Sequence, residues 1–481
     1  MPYLRINPAA VRVSLACMIA AFGIYVSVET IQQHHALETR AFDLGVFESI
    51  IWSTVHGRFF WSPLLLESHF AQHSSPILLT LAPIYALVPR PETLLVAQAV
   101  LLALAAWPLF LIARRMLGSD AQALLVAAMY LVHPAVAGAA FYDFHELAFA
   151  PLLFFLAYLF HLEERPVLFW TAIGLLLLVK EDLSLVVVGF GLSCLIAKRR
   201  KRGVALVIAG VAAYVLLVHI VIPYFAPPGQ SYGWYYGDLV APGEPPSAVV
   251  GAVLADPVKV ARFAFEPRKL MYVLKLLGPL CFFPLLSASG AVLLGYGFTM
   301  SLLASRLPLF TVGFQYALHV VPYAFVAGLL ALVRWWPSPF ARRLGMTRWV
   351  VILGWALASA AFCVVFGIIG LRTHFQGGFR RVAFSISPEA DDRYREVRDL
   401  ASHIAQGDSV TASESLVPHV AQRSLLQTLR YAEPGRGAEY DVFFVLKSER
   451  AVWAARFPEI FRETQYARVA EGKYTILYRR R

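Results

Sequence analysis

The sequence predicts an all-α polytopic membrane protein of about eleven transmembrane helices, followed by a small C-terminal α/β domain. Three observations lead there. Of the 481 residues 58% are hydrophobic and 15% charged, with a mean hydropathy of +0.61, outside the range of an ordinary soluble domain. Apolar runs long enough to cross a bilayer recur along the first three quarters of the chain. The charges then crowd at one end: the last 110 residues hold 18 Lys or Arg and 14 Asp or Glu, 32 of the 73 in the chain.

The elements follow in order. Residues 9–31 form a nearly uncharged run with Arg5 ahead of it and Arg12 at its start, without a small-residue cleavage site, which predicts an anchor helix rather than a removed signal. Residues 32–91 form a long external loop. Its apolar piece, Pro76 to Val88, has thirteen residues, too few for a span that needs about twenty, so it lies in the interface or dips into it. Further spans are predicted at 92–113, 120–138, 147–162, 167–180, 183–197, 203–222, 270–287, 290–305, 315–333 and 349–371. Residues 223–269, rich in Pro, Gly and aromatics, form a second external loop. The transmembrane domain then covers 1–371 and the soluble domain 372–481. In the latter a helix (388–406), a strand (409–412), a helix (416–421) and strands near 424–429, 441–446 and 474–478 alternate.

Charge sets the topology. The net charge of +11 sits in short connections, at Arg114-Arg115, at Lys198 to Arg202 and from Arg334 through Arg342, Arg343 and Arg348. That is the positive-inside pattern, and it argues against nucleic acid as a partner. With those clusters in the cytoplasm, the N-terminus is cytoplasmic and the C-terminal domain extracytoplasmic. The four cysteines, Cys17, Cys194, Cys281 and Cys363, lie within apolar runs and read as small buried hydrophobes.

External polar residues collect in one layer. The first loop supplies Asp43, Glu48, His69 and His73. The loop after the third span supplies Asp143, His145 and Glu146. Lys180-Glu181-Asp182 breaks two short apolar runs, and Arg306, Gln315, Tyr316 and His319 lie before and at the start of span 315–333. Ionisable groups at membrane depth are costly and usually face a cavity or one another. Each has a bland reading beside the chemical one. Asp43 is also a good N-cap for a helix over Leu44–Val55. Lys180 and Asp182 form either a buried ion pair that fixes helix packing or a phosphate-binding group. His69 and His73 have metal-ligand spacing, but a hydrogen-bonded loop suits the following Ser74-Ser75-Pro76 better.

At Phe42-Asp-Leu-Gly45, His73-Ser-Ser-Pro76, Asp143-Phe-His145 and Lys180-Glu-Asp182 the sequence resembles the polytopic family of bacteria and archaea catalogued as domain of unknown function 2079. Gln315-Tyr316 with His319, and Val417-Pro-His-Val420 with Arg423, also resemble its pattern. More distantly, the layout is similar to the GT-C fold of lipid-dependent glycosyltransferases. That resemblance implies a bacterial cytoplasmic-membrane enzyme with a polyprenyl-phosphate sugar donor and an envelope glycan or lipid acceptor. It implies Asp43 as the first-loop catalytic acid and Asp143 as the second-loop one, with His145 beside them. Lys180 would bind lipid phosphate, with Glu181, Asp182, His73, Arg306, Gln315, Tyr316 and His319 around the substrate. Asp143 is followed by Phe-His rather than a second acid or a proline, which leaves the cofactor open: a divalent metal is compatible and not required.

The implied chemistry has a physical basis. Glycosyl transfer needs a base for the acceptor hydroxyl and positive charge for the departing phosphate. With the donor supplied from the membrane no nucleotide site is needed, and no Gly-rich phosphate loop is present. The alternatives are a transporter, which would also use intramembrane charges on broken helices, and a non-catalytic envelope protein.

Overall fold

The structure, a computed structural model, describes residues 7–229, 232–335, 347–370, 375–382, 384, 387–432, 440–462 and 465–481. Arg5, Arg342 and Arg343, and the domain boundary expected at 371–372, lie outside them. Helix dominates, and the chain is a multi-pass membrane protein with a small sheet at its C-terminal end. Among the described residues five helices are long and apolar enough to cross a membrane: Pro8–His35, Pro91–Leu117, Arg200–Phe225, Gln315–Trp335 and Arg348–Phe366. A sixth is the pair Asp120–Leu131 and Pro134–Phe141, bent by 45°. The bend falls where Pro134 has no N–H to give, and His133 Nδ1 accepts from Ala135 N–H at 3.2 Å to cap the second half.

The expected count of about eleven includes segments that are apolar but shorter. Glu146–Leu162, Pro166–Leu177 and Leu183–Ile196 are regular helices below spanning length. The two spans expected at 270–287 and 290–305 are broken. Pro267–Leu277 ends at Gly278-Pro279, where Cys281 and Phe282 take the left-handed conformation, and Ala288–Leu302 passes through a 3₁₀ turn. The thirteen-residue piece 76–88 forms a 3₁₀ turn, Pro76–Thr80, followed by the short helix Ala82–Leu87.

The helix Gln315–Trp335 is central, with 83% of its apolar window buried, whereas Arg200–Phe225, at 11%, is almost wholly peripheral. Gly138 fixes how the bent pair meets this centre. A Cβ there would stand 1.9 Å from the Val312 carbonyl oxygen, so only glycine permits the approach. Gly138→Ala must therefore move backbone, at about 1–3 kcal/mol. The expected readout is a lowered thermal midpoint in detergent; an unchanged midpoint contradicts the packing.

At the C-terminal end, the helix Pro388–Ser402 precedes a five-stranded sheet in the order 426–428, 410–412, 442–446, 475–480, 466–471. The first three strands are parallel and the last two run antiparallel to their neighbours. The strand Tyr466–Glu471 and the helices Arg450–Arg456 and Pro458–Phe461 are additions to the expected pattern, and the helix expected at 416–421 is a single 3₁₀ turn, Val417–His419. This unit docks on the first loop. Gln422 Nε2 donates to Glu48 Oε1 at 2.9 Å and to the Tyr85 hydroxyl at 3.1 Å, and that hydroxyl donates to Glu48 at 2.5 Å.

Candidate active site

After the helix Pro8–His35 the chain makes a π-helical turn, Ala41–Gly45, and enters the helix Val46–Val55. Asp43 lies inside that turn and does not cap it. The capping is supplied across space: Asp143 Oδ2 accepts the backbone N–H of Arg40 at 2.8 Å and of Leu44 at 3.5 Å. The Asp43 carboxylate is thereby left to other partners. Its Oδ2 accepts the Tyr142 hydroxyl at 2.5 Å, and its Oδ1 lies 3.1 Å from His145 Nε2. The two acidic loops expected to share one surface do meet, and Asp43, Asp143 and His145 stand together.

Both ring nitrogens of His145 face acceptors, since Nδ1 is 2.9 Å from the Asp143 carbonyl oxygen. A doubly protonated ring satisfies both. Burial opposes that charge, but the hydrogen bond and charge of Asp43 outweigh it and hold the His145 pKa above its ordinary value. Burial, reinforced by the neighbouring Asp43 charge, pushes the Asp143 carboxyl well above the usual carboxylate range. The loop that carries this group is held by Gln98, whose Nε2 donates to the Tyr142 carbonyl at 2.8 Å and whose Oε1 accepts the His145 N–H at 2.9 Å.

The second cluster departs from the ion pair the sequence suggests. Lys180 does not pair with Asp182; its Nζ lies 3.2 Å from Glu146 Oε1, and both groups are buried. Glu181 turns to the first loop, with Oε1 2.9 Å from His73 Nδ1 and Oε2 accepting the Ser74 N–H at 3.0 Å. Asp182 Oδ2 lies 3.1 Å from His319 Nε2, and His319 Nδ1 is 3.2 Å from the Tyr316 carbonyl oxygen. Each residue of Lys180-Glu-Asp182 thus ties down a different segment. Gln315 is buried in the turn Gln315–His319.

Two cavities flank the site. One, of about 350 Å³, is lined by Asp43, Tyr142 and Asp143 together with Arg381, Glu414 and Arg430 of the C-terminal unit. The other, of about 730 Å³, is lined by His73, Lys180, Glu181 and Asp182 and by Tyr214, Tyr232, Tyr235, Tyr236, Tyr296 and Tyr316. Tyr316 stands within electrostatic reach of both Lys180 and Asp43. Arg306 does not line the larger cavity; its guanidinium stacks 4.6 Å from the Trp234 ring, which stacks in turn on Tyr235. Among the described residues no group of three or more His, Cys, Asp or Glu is placed to hold a metal.

Sequence reasoning misses Tyr142, Gln98, the role of Glu146 and, apart from Tyr316, the tyrosine lining. Gln98 carries a readable signal, an amide in the middle of an apolar run. The other tyrosines come from three separate segments and carry none.

A family model described as "Predicted membrane protein (DUF2079)" matches residues 33–480. The chain belongs to this family. No curated protein matches it. Among solved structures the DUF2079 chain is similar to ArnT from Cupriavidus metallidurans bound to undecaprenyl phosphate, with 14% identity and a TM-score of 0.52 over 95% of this chain and 97% of that one. It is similar to the apo state of the same protein at 13% identity and a TM-score of 0.51 over the same shares. At that identity the likeness establishes the fold: this DUF2079 protein has the architecture of ArnT.

Proposed function

We propose that this protein is a membrane glycosyltransferase of GT-C type that moves a sugar from a polyprenyl-phosphate donor to an envelope acceptor. The observation that carries the reading is Asp43, pinned by Tyr142 and His145 at the wall of one cavity beside a larger one that Lys180 faces. The undecaprenyl phosphate held by one ArnT structure supports a lipid-phosphate donor here.

In this reading the acceptor hydroxyl enters the smaller cavity and its oxygen attacks the anomeric carbon. The bond from that carbon to the phosphate oxygen breaks, and the hydroxyl proton passes to Asp43. The phosphate leaves with the bonding electron pair and is met by the Lys180 ammonium. Asp143 is a positioning residue, since its carboxylate holds the turn that presents Asp43.

The same reading puts the Asp43 face outside the cytoplasm. His35, near Asp43 in the chain, pairs with Glu92 at one end of the span Pro91–Leu117, while Arg114-Arg115 lies towards the other end, ~33 Å away along the axis. Basic residues at that far end suit a cytoplasmic position.

Transfer should fall as pH rises through the raised pKa of His145, because the neutral ring loses its charge beside Asp43 and keeps a single N–H for two acceptors, Asp43 and the Asp143 carbonyl. In His145→Gln the alkaline limb should vanish from the pH profile; an unchanged limb would assign it to another group. The reading itself is tested by comparing lipid-linked sugars and envelope glycans between wild type and a deletion strain. An accumulated polyprenyl-phosphate sugar and an under-glycosylated envelope component are expected, and identical profiles contradict it.

A further inference from the structure

In the segment Val417-Pro-His-Val420 with Arg423, Val417 packs on Gly45 of the Asp43 turn, and the rest faces another space. Pro418-His-Val420 and Arg423 line a separate cavity of about 360 Å³ where the C-terminal unit meets the membrane helices, opposite His34, Arg90 and Glu92 and beside Tyr394 and Arg398. Three guanidiniums therefore line one small space. Arg423 is 6% exposed, and its Nη1 donates to the Asp408 carbonyl oxygen at 3.1 Å rather than to a carboxylate. Among the described residues no carboxylate lies within ion-pair distance of Arg90 or Arg398. The single carboxylate lining the cavity, Glu92, is already engaged by His35 at 3.1 Å.

The imidazoles add a second, independent sign. The rings of His34 and His419 stack with centroids 4.1 Å apart, and His34 Nδ1 is taken by the Thr39 hydroxyl at 2.9 Å. His419 Nε2 is shielded from solvent and has no hydrogen-bond partner among the described residues. Burial pushes the His419 pKa down to about 3, so the ring is neutral and stacking costs no charge repulsion. Arg423 spends Nε on the Val420 carbonyl and Nη1 on the Asp408 carbonyl, so an anionic oxygen entering the cavity would meet its remaining N–H groups and the guanidiniums of Arg90 and Arg398, which have no carboxylate partner among the described residues.

We propose that this interdomain cavity binds a phosphate group, held between Arg90 of the membrane unit and Arg398 and Arg423 of the C-terminal unit. Guanidinium forks match phosphate oxygens in a bidentate manner, which favours this anion class over a simple halide. The approach to the cavity is apolar: Leu87 is 83% exposed and Val88 50% exposed, immediately before Arg90. An acyl chain along that surface with its headgroup phosphate among the arginines fits the juxtaposition, as does a free phosphate entering from water. The occupant bridges the two units and fastens the C-terminal sheet to the membrane surface. This inference stands apart from the transferase reading, since no residue of the Asp43 centre takes part.

The test uses the full-length protein in neutral detergent. Binding of fluorescent phosphatidylglycerol and of phosphatidylcholine is measured, and the thermal midpoint is followed as inorganic phosphate replaces chloride at constant ionic strength. Arg90→Gln/Arg398→Gln, both at exposed positions, should weaken phosphatidylglycerol binding by about tenfold or more if the lipid is the occupant. If free phosphate is the occupant, the midpoint rises with phosphate in the wild type and not in the double variant. Arg398→Lys, which keeps the charge and loses the fork, should fall between. The assignment is overturned if neither ligand separates wild type from the double variant. It is equally overturned if Lys198→Gln/Arg200→Gln, a basic cluster remote from the cavity, weakens binding as much.

Discussion

Asp43→Asn is expected to abolish transfer while the protein accumulates in the membrane at the wild-type level. The amide keeps the shape of the carboxylate and can still accept the Tyr142 hydroxyl through its oxygen. It cannot take the acceptor proton, and its NH₂ meets His145 Nε2 without opposite charge. Loss of a positioned general base reduces rate by about a hundredfold to ten-thousandfold, equivalent to ~3–5 kcal/mol of barrier. Complementation of a deletion strain followed by analysis of its lipid-linked sugars reads the effect. Wild-type sugar profiles from the variant would remove Asp43 from the chemistry. The structural cost should be small, because the turn is held from Asp143, whose bonds to Arg40 and Leu44 the substitution leaves intact.

The second large effect is on stability. Lys180 and Glu146 face each other 3.2 Å apart and are nearly inaccessible, at 5% and 1% exposure. Lys180→Leu leaves Glu146 as an unpaired buried charge, which costs about 3–5 kcal/mol. The variant is expected to be poorly expressed and to unfold at a markedly lower temperature. Lys180→Leu/Glu146→Leu removes both charges and should recover most of that stability. Recovery of the fold without recovery of transfer would separate the structural role of Lys180 from its role at the donor phosphate. Full activity in the double variant would deny the second role.

Much of this arrangement is readable from the chain because membrane chemistry is restrictive. The first long apolar helix, the brevity of the helix within 76–88 and the small sheet at the C-terminal end all follow from length, hydropathy and charge. The meeting of Asp43 with Asp143 follows from helix parity, which puts both loops on one side. What sequence cannot supply is the partner of each charge. Lys180, Glu181 and Asp182 are adjacent, yet they bond to Glu146, His73 and His319, three segments chosen by packing. The same limit applies to Asp43, which has the sequence context of an N-cap while the cap comes from Asp143, about a hundred residues away. The broken segments at 267–302 were hidden for another reason. Their composition is that of spans, and only Gly278-Pro279 and Pro284 hint that the helix cannot continue.

In the proposed transfer a lipid phosphate occupies the tyrosine-lined cavity beside Lys180 while Asp43 serves the acceptor from the adjoining one. The most direct measurement is photo-crosslinking of the full-length protein in nanodiscs with an undecaprenyl phosphate that carries a diazirine near its phosphate. Crosslinks should map to the walls of the cavity formed by Lys180, Tyr236 and Tyr316, and competition with unlabelled undecaprenyl phosphate should erase them. Crosslinks scattered over the lipid-facing surface of Arg200–Phe225, and indifferent to the competitor, would contradict it.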